Sequence, residues 1–263
     1  MAMSQASRRL IMAVDMESYS RHDDAGQARV QTDFRHLMQR AAEQCGLQRT
    51  SWEIQPTGDG ELALFPPGTS EPRVIADLVP AMDRILRDHN RHIASHAQVR
   101  LRVAIHQGLV TKTENGYAGS AVVTAARLVD AGPLKDALRT FPQATVVMIV
   151  SSTIFRDVVS QSYSGIRKER YGRVDVRVKS FAEDAWIFVP DEDFTLATPP
   201  PSRTHDASRC GDADEAPQLV PPATSGSRFS FGIVTNHGPT VFGDHARIAG
   251  PADSFGGDGT SWR

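Results

Sequence analysis

Two acids and two bases stand where their surroundings allow chemistry. Asp15 closes the apolar run at residues 9–15 (RLIMAVD). A carboxylate at the C-terminal end of a buried strand sits where ligands tend to meet open sheets. Asp59 lies in an Asp-Gly pair inside residues 53–65 (EIQPTGDGELALF). Arg127 projects away from the apolar stripe of residues 120–130 (SAVVTAARLVD). Its planar fork suits phosphate. Lys179 ends an alternating stretch that starts at Val174. Each has an ordinary alternative: a strand-end or N-cap acid, a good turn former, a surface arginine, and a lysine on the polar face of a strand.

These side chains need elements to position them. The continuous apolar run before Asp15 reads as a central strand buried on both faces. Residues 27–47 read as a helix, with Val30, Phe34, Leu37, Met38, Ala41 and Cys45 on one stripe and Gly46 as its stop. Cys45 on that stripe reads as a core thiol. Asp59-Gly60 between two strand-like runs reads as a hairpin turn, with positive φ expected at both positions. Residues 71–92 read as a second helix that Pro80 kinks or truly begins.

Residues 99–105 (VRLRVAI) alternate, so they read as a strand with one buried face. Arg100 and Arg102 share its other face, which reads as solvated or turned to a partner. The motif His106-Gln-Gly and a Gly116-to-Gly119 turn lead to a third helix, with Ser120 as N-cap and Val122, Ala125, Ala126 and Val129 toward the core. Residues 144–150 form another buried strand, and Ser151 and Ser152 cap a short helix. Two closing strands carry Val174, Val176 and Val178, then residues 185–189. The sum is an α+β sandwich, with helices covering one face of a mostly antiparallel sheet.

Composition limits the function classes. The 263 residues carry 29 Lys and Arg against 31 Asp and Glu, so overall charge makes no case for nucleic acid or membrane. Two distant cysteines, Cys45 and Cys210, fit no zinc or redox spacing, and a reduced cytoplasmic setting is the simplest expectation. The run before Asp15 is too short for a signal peptide or a span. Residues 191–263 hold 8 of the 16 prolines and 9 of the 20 glycines, and 10 acids against 5 bases. That shift places a domain boundary near Pro190, a disordered linker over 191–228 and a Gly-rich tail over 229–263. Three short β-like pieces in the tail cannot bury a core alone and read as an interaction segment for a protein partner. His237, Asp244 and His245 lack metal-site spacing.

Five segments, in order, resemble the class III nucleotidyl cyclase catalytic domain of adenylyl and guanylyl cyclases. They are Val14-Asp-Met-Glu-Ser-Tyr19, Thr57-Gly-Asp-Gly60, Arg102-Val-Ala-Ile-His-Gln-Gly108, Gly119-Ser-Ala-Val-Val-Thr-Ala-Ala-Arg-Leu128 and Val178-Lys-Ser-Phe181. The resemblance spans residues 9–190 and implies a ferredoxin-like sandwich. It implies that a ribose 3′-hydroxyl attacks the α-phosphorus of its own nucleoside triphosphate and that pyrophosphate leaves. Two Mg2+ or Mn2+ ions on Asp15 and Asp59 would serve that chemistry. The turn at Glu17, Ser18, Tyr19 and Ser20 would cradle phosphates through backbone amides. Arg127 matches the transition-state arginine and Lys179 the phosphate-binding lysine. Gln55 and Gly116, beside Tyr117, match the base-reading positions. A head-to-tail homodimer is implied in the same way, with aspartates from one chain and arginine from the other.

Departures from the family pattern keep two readings open. Val123 stands where the family has a transition-state asparagine, and neighbouring Thr124 points elsewhere. Gln55 can donate and accept, so it fits more than one base. Ser18-Tyr19 replaces the family's Gly-Phe. One reading is an enzyme that makes a cyclic nucleotide, including from a pyrimidine nucleotide. The other is a catalytically degenerate domain that binds nucleotide and regulates or adapts.

Overall fold

Residues 10–14 become the middle of the sheet, because a strand with apolar side chains on both faces needs a layer on each side. The computed structural model describes residues 6–194 apart from 95, 96 and 115. The linker beyond 194, the tail and its His237, Asp244 and His245 lie outside the described residues.

The sheet strands are β1 (Ser7–Met16), β2 (Glu53–Pro56), β3 (Gly60–Leu64), β4 (Leu101–Thr113), β5 (Gly116–Ala118), β6 (Val146–Ser151), β7 (Gly172–Val178) and β8 (Phe181–Phe188). Their order is β2-β3-β1-β4-β6-β8-β7, with β5 paired to β4. Every pair is antiparallel except β4 with β6.

Helices cover both faces, not one. Leu10, Met12 and Val14 of β1 pack with α1 (Asp24–Gln44) and α3 (Val79–Asn90). Ile11 and Ala13 point the other way, into a second core with α4 (Ser120–Val129) and α5 (Gly132–Thr140). Helix α5 has no counterpart among the sequence expectations. Pro133 in its first turn and buried Leu134, Ala137 and Leu138 explain it. In α4 the buried residues are Ala121, Ala125 and Leu128, while Ala126 is exposed. The third core position is thus Leu128 rather than Ala126, because Ala121 starts the stripe one residue earlier than Val122. Ser120 is the first helical residue and Gly119 the cap.

Helix α1 ends as expected. Gly46 takes φ 61°, its N–H donates to the Glu43 carbonyl, and that of Leu47 donates to Ala42. The one-turn α2 (Glu71–Arg73) runs through a π-helical turn at Val74–Leu78 into α3. Pro80 explains that turn. Its ring would strike the Ala76 carbonyl in a regular helix, and the wider turn makes room. Ser151 caps α6 (Ser152–Asp157), accepting from the Ile154 N–H at 3.4 Å. Cys45 is buried, which lifts its thiol pKa and fits a core residue. His106 is half-buried: burial first, with Arg8 adding, lowers it to about 4, and its Nδ1 pairs with Ser151 Oγ at 2.9 Å.

Candidate active site

Strand register builds the centre of the site. Asp15 of β1 lies directly opposite Gly60 on one neighbour and Arg102 on the other. The Met16 N–H donates to the Asp59 carbonyl at 2.8 Å, which pins the β2–β3 turn onto the end of β1. In that turn positive φ occurs at Gly58 (91°), not at Asp59 or Gly60. Gly60 is required for another reason. A Cβ there would lie 1.9 Å from the Val14 carbonyl oxygen, so only glycine lets β3 approach β1 this closely. Gly60→Ala is therefore expected to lower stability by about 2–4 kcal/mol and to displace Asp59. Chemical denaturation together with divalent-ion titration checks both effects.

The Asp15 and Asp59 carboxylates come within hydrogen-bonding distance of each other. Burial pushes Asp15 up to about 7, with the charge of Asp59 adding and that of Arg102 opposing. Arg102 donates from Nη2 to Asp15 Oδ2, and both side chains are mostly buried. A crowded carboxylate pair of this kind is relieved by a proton or by a cation. Among the described residues no group of three or more His, Cys, Asp or Glu side chains could hold a metal. Two carboxylates alone suit Mg2+ or Mn2+, which leave the rest of their shell to water and substrate phosphates. The donor set therefore fits the cation that the sequence resemblance implies.

The turn after β1 is tied down on several sides. Ser18 takes φ 60°, a left-handed conformation unusual for serine. The Glu17 N–H already donates to the Arg100 carbonyl at 2.9 Å, so it is not free for phosphate. The amides of Ser18, Tyr19 and Ser20 remain for that role. Gln31 of α1 donates both to Tyr19 Oη and to the Gly58 carbonyl, each at 2.7 Å, and so joins this turn to the β2–β3 turn.

Gln55 and Gly116, distant in sequence, come together. A Cβ on Gly116 would lie 3.1 Å from Gln55 Oε1. Arg9 and Lys112 each lie 5.9 Å from the centre of the Tyr117 ring. Glu53 binds Lys112 at 2.8 Å and Arg9 at 3.3 Å. The Lys112 hydrogen bond above all holds Glu53 down at about 2.

Arg127 and Lys179 are elsewhere. The Arg127 guanidinium stacks 5.6 Å from the centre of the Phe181 ring. Lys179 is not on a strand face but in the β7–β8 turn, at φ 56°. That turn lies at the Phe181 end of β8, whereas Asp15 aligns with the Phe188 end through Arg102, Val147 and Met148. At about 3.3 Å per strand residue and ~4.8 Å per strand, Lys179 sits on the order of 30 Å from Asp15. Val123 is exposed on α4 and Thr124 half-buried.

Arg100 and Arg102 are not solvated, contrary to the alternating pattern. Both are spent on partners inside the chain. Alternation showed which face they share, but only the β1–β4 register shows that this face meets Asp15. Gln31 carried no sequence signal beyond its place in a helix.

The described residues match solved cyclase domains along nearly their whole length. The adenylate/guanylate cyclase/hydrolase from Silicibacter pomeroyi aligns over 72% of this chain and 99% of its own, at 22% identity and a TM-score of 0.52. The guanylyl cyclase Cya2 aligns over 71% of this chain and 93% of its own, at 17% identity and a TM-score of 0.50. The chain has the class III nucleotidyl cyclase fold. No family model and no curated protein matches the sequence. Within this cyclase fold the Arg127–Phe181 corner stands apart from the Asp15–Asp59 pair. Among the described residues no helix is long and apolar enough to cross a membrane.

Proposed function

We propose that residues 9–190 act as a nucleotidyl cyclase, converting a nucleoside triphosphate to a 3′,5′-cyclic nucleotide and pyrophosphate in a signalling role. The observation that carries this reading is the crowded Asp15–Asp59 pair, fixed by register at the end of β1. Two divalent ions on these carboxylates would activate the ribose 3′-hydroxyl and offset charge growing on the phosphates. Arg102 orients Asp15 and keeps a cation beside the site. Ser18, Tyr19 and Ser20 offer amides to phosphate oxygens. Gln55, with Gly116 and Tyr117 alongside, faces the base. Arg127 and Lys179 stabilise negative charge in the transition state.

Within one chain those last two cannot reach a phosphate held at Asp15, given the separation of roughly 30 Å. A homodimer meets that requirement, because a second copy can bring its Arg127 and Lys179 to this copy's aspartates. In this reading the residues beyond Pro190 are a linker and a separate appended segment that engages a protein partner.

Exposed Val123 favours a second reading, a nucleotide-binding regulatory domain without turnover. Incubation with each of the four ribonucleoside triphosphates and Mn2+ or Mg2+, followed by mass detection of cyclic product, separates the two. Product from any of them supports the enzyme. Binding without product from all four sinks it and supports the second reading.

A further inference from the structure

We infer that Arg100 is a positioning residue that shapes and discharges the turn at residues 17–20 so that it can take a polyphosphate. This inference rests on the cyclase reading for the identity of the ligand, but not on turnover. Arg100 immediately precedes β4 and is 19% exposed. Its guanidinium spends four donor contacts on one joint. Nη1 donates to Glu17 Oε2 at 2.8 Å, and Nε donates to the Ala144 carbonyl at 2.9 Å. Nη2 donates to the Phe141 carbonyl at 2.8 Å and also to that of Leu138. Its own carbonyl accepts the Glu17 N–H at 2.9 Å.

The consequences are mechanical and electrostatic. The end of α5 and the loop into β6 are clamped to the turn that follows Asp15, and the same turn holds Ser18 at φ 60°. Few residues other than glycine keep that conformation unless their surroundings impose it. Glu17 is the acid of this turn. Unpaired, its carboxylate would repel a polyphosphate beside Ser18–Ser20; paired with Arg100, it does not. Only arginine can serve carboxylate and carbonyls together, because its donors are spread over a rigid fork.

The test uses the full chain, with Mn2+ and inorganic tripolyphosphate as the probe, which reports phosphate binding without base or turnover. Arg100→Gln is expected to weaken tripolyphosphate binding roughly tenfold, and adding Glu17→Gln is expected to recover most of that loss. Arg100→Lys should recover only part, because it keeps the charge and loses the fork. Hydrogen exchange should accelerate in Arg100→Gln at residues 17–21 and 138–144 together, by about tenfold or more, and not in the β2–β3 hairpin. If nucleotides serve as substrates, KM should rise while kcat changes little.

The inference is overturned if the wild-type protein does not bind tripolyphosphate. It is also overturned if Glu17→Gln recovers nothing, or if only residues 138–144 loosen. A wild-type protein that binds tripolyphosphate in this pattern yet yields no cyclic product would overturn the cyclase reading and leave the role of Arg100 standing.

Discussion

Asp59→Asn is expected to abolish cyclic-nucleotide formation, by roughly three orders of magnitude, while making the metal-free protein more stable. The two effects share one cause. Burial and the charge of Asp59 push Asp15 up to about 7. The unfolded chain ionises Asp15 near its ordinary value of 3.8. A group whose folded pKa is raised binds its proton more tightly in the native state. It therefore costs stability as pH rises from about 4 toward 7, and the cost is complete above that. Asparagine at 59 removes one charge from the pair and most of the competition for the proton. At pH 7.5 the gain should be about 0.5–1 kcal/mol, a rise of about 1–4 °C in Tm for a domain of this size. Mn2+ should raise the wild-type Tm through binding to the native state alone, and should do so far less in the variant. Thermal melts with and without Mn2+, alongside product detection, check both parts. A variant that is less stable, or that responds to Mn2+ as the wild type does, would remove Asp59 from the proposed site.

Two inactive variants should make one active dimer. Asp59→Asn lacks one carboxylate, and Arg127→Ala lacks the charge that stabilises the transition state, expected to cost about 100- to 1,000-fold. Arg127→Ala should still fold, because among the described residues the half-exposed guanidinium offers a stacking contact with Phe181, worth about 0.5–1 kcal/mol at such a site. When the two are co-expressed with different tags and the mixed dimer is purified, one of its two sites combines intact Asp59 with intact Arg127. That dimer should show about half of wild-type activity, because the other site carries both defects. Arg127 packs on Phe181 at one end of β8, and Asp15 aligns with the other end. A mixed dimer as inactive as its parents would show that the arginine acts within its own chain, or not at all.

How much could be read beforehand depended on how local each signal was. The apolar run before Asp15 specified a central strand because both of its faces are apolar. The same fact argues for helices on both sides of the sheet, a conclusion the one-sided sandwich missed. The α1 stripe and the Gly46 stop were legible because they depend on residues three or four apart. Helix α5 is not legible locally, because its short apolar spacing at Leu134, Ala137 and Leu138 sits between stronger neighbours. Alternation puts Lys179 on a strand, yet it occupies the turn, since β7 pairs with β8 only from Val178 back.

By itself the sequence determined the strand-end acid, the Asp-Gly turn, the arginine off the α4 stripe and the order in which they occur. Those are properties of neighbours along the chain. The tertiary structure alone decided that Asp15 and Asp59 crowd one another, that Arg102 pairs with the first and Arg100 with Glu17, and that Arg127 and Lys179 lie at the far end of the sheet. Asp15 and Arg102 are 87 residues apart and meet only because β1 and β4 pair in one register. A shift of one residue would turn Arg102 to the opposite face, and no local pattern encodes that choice.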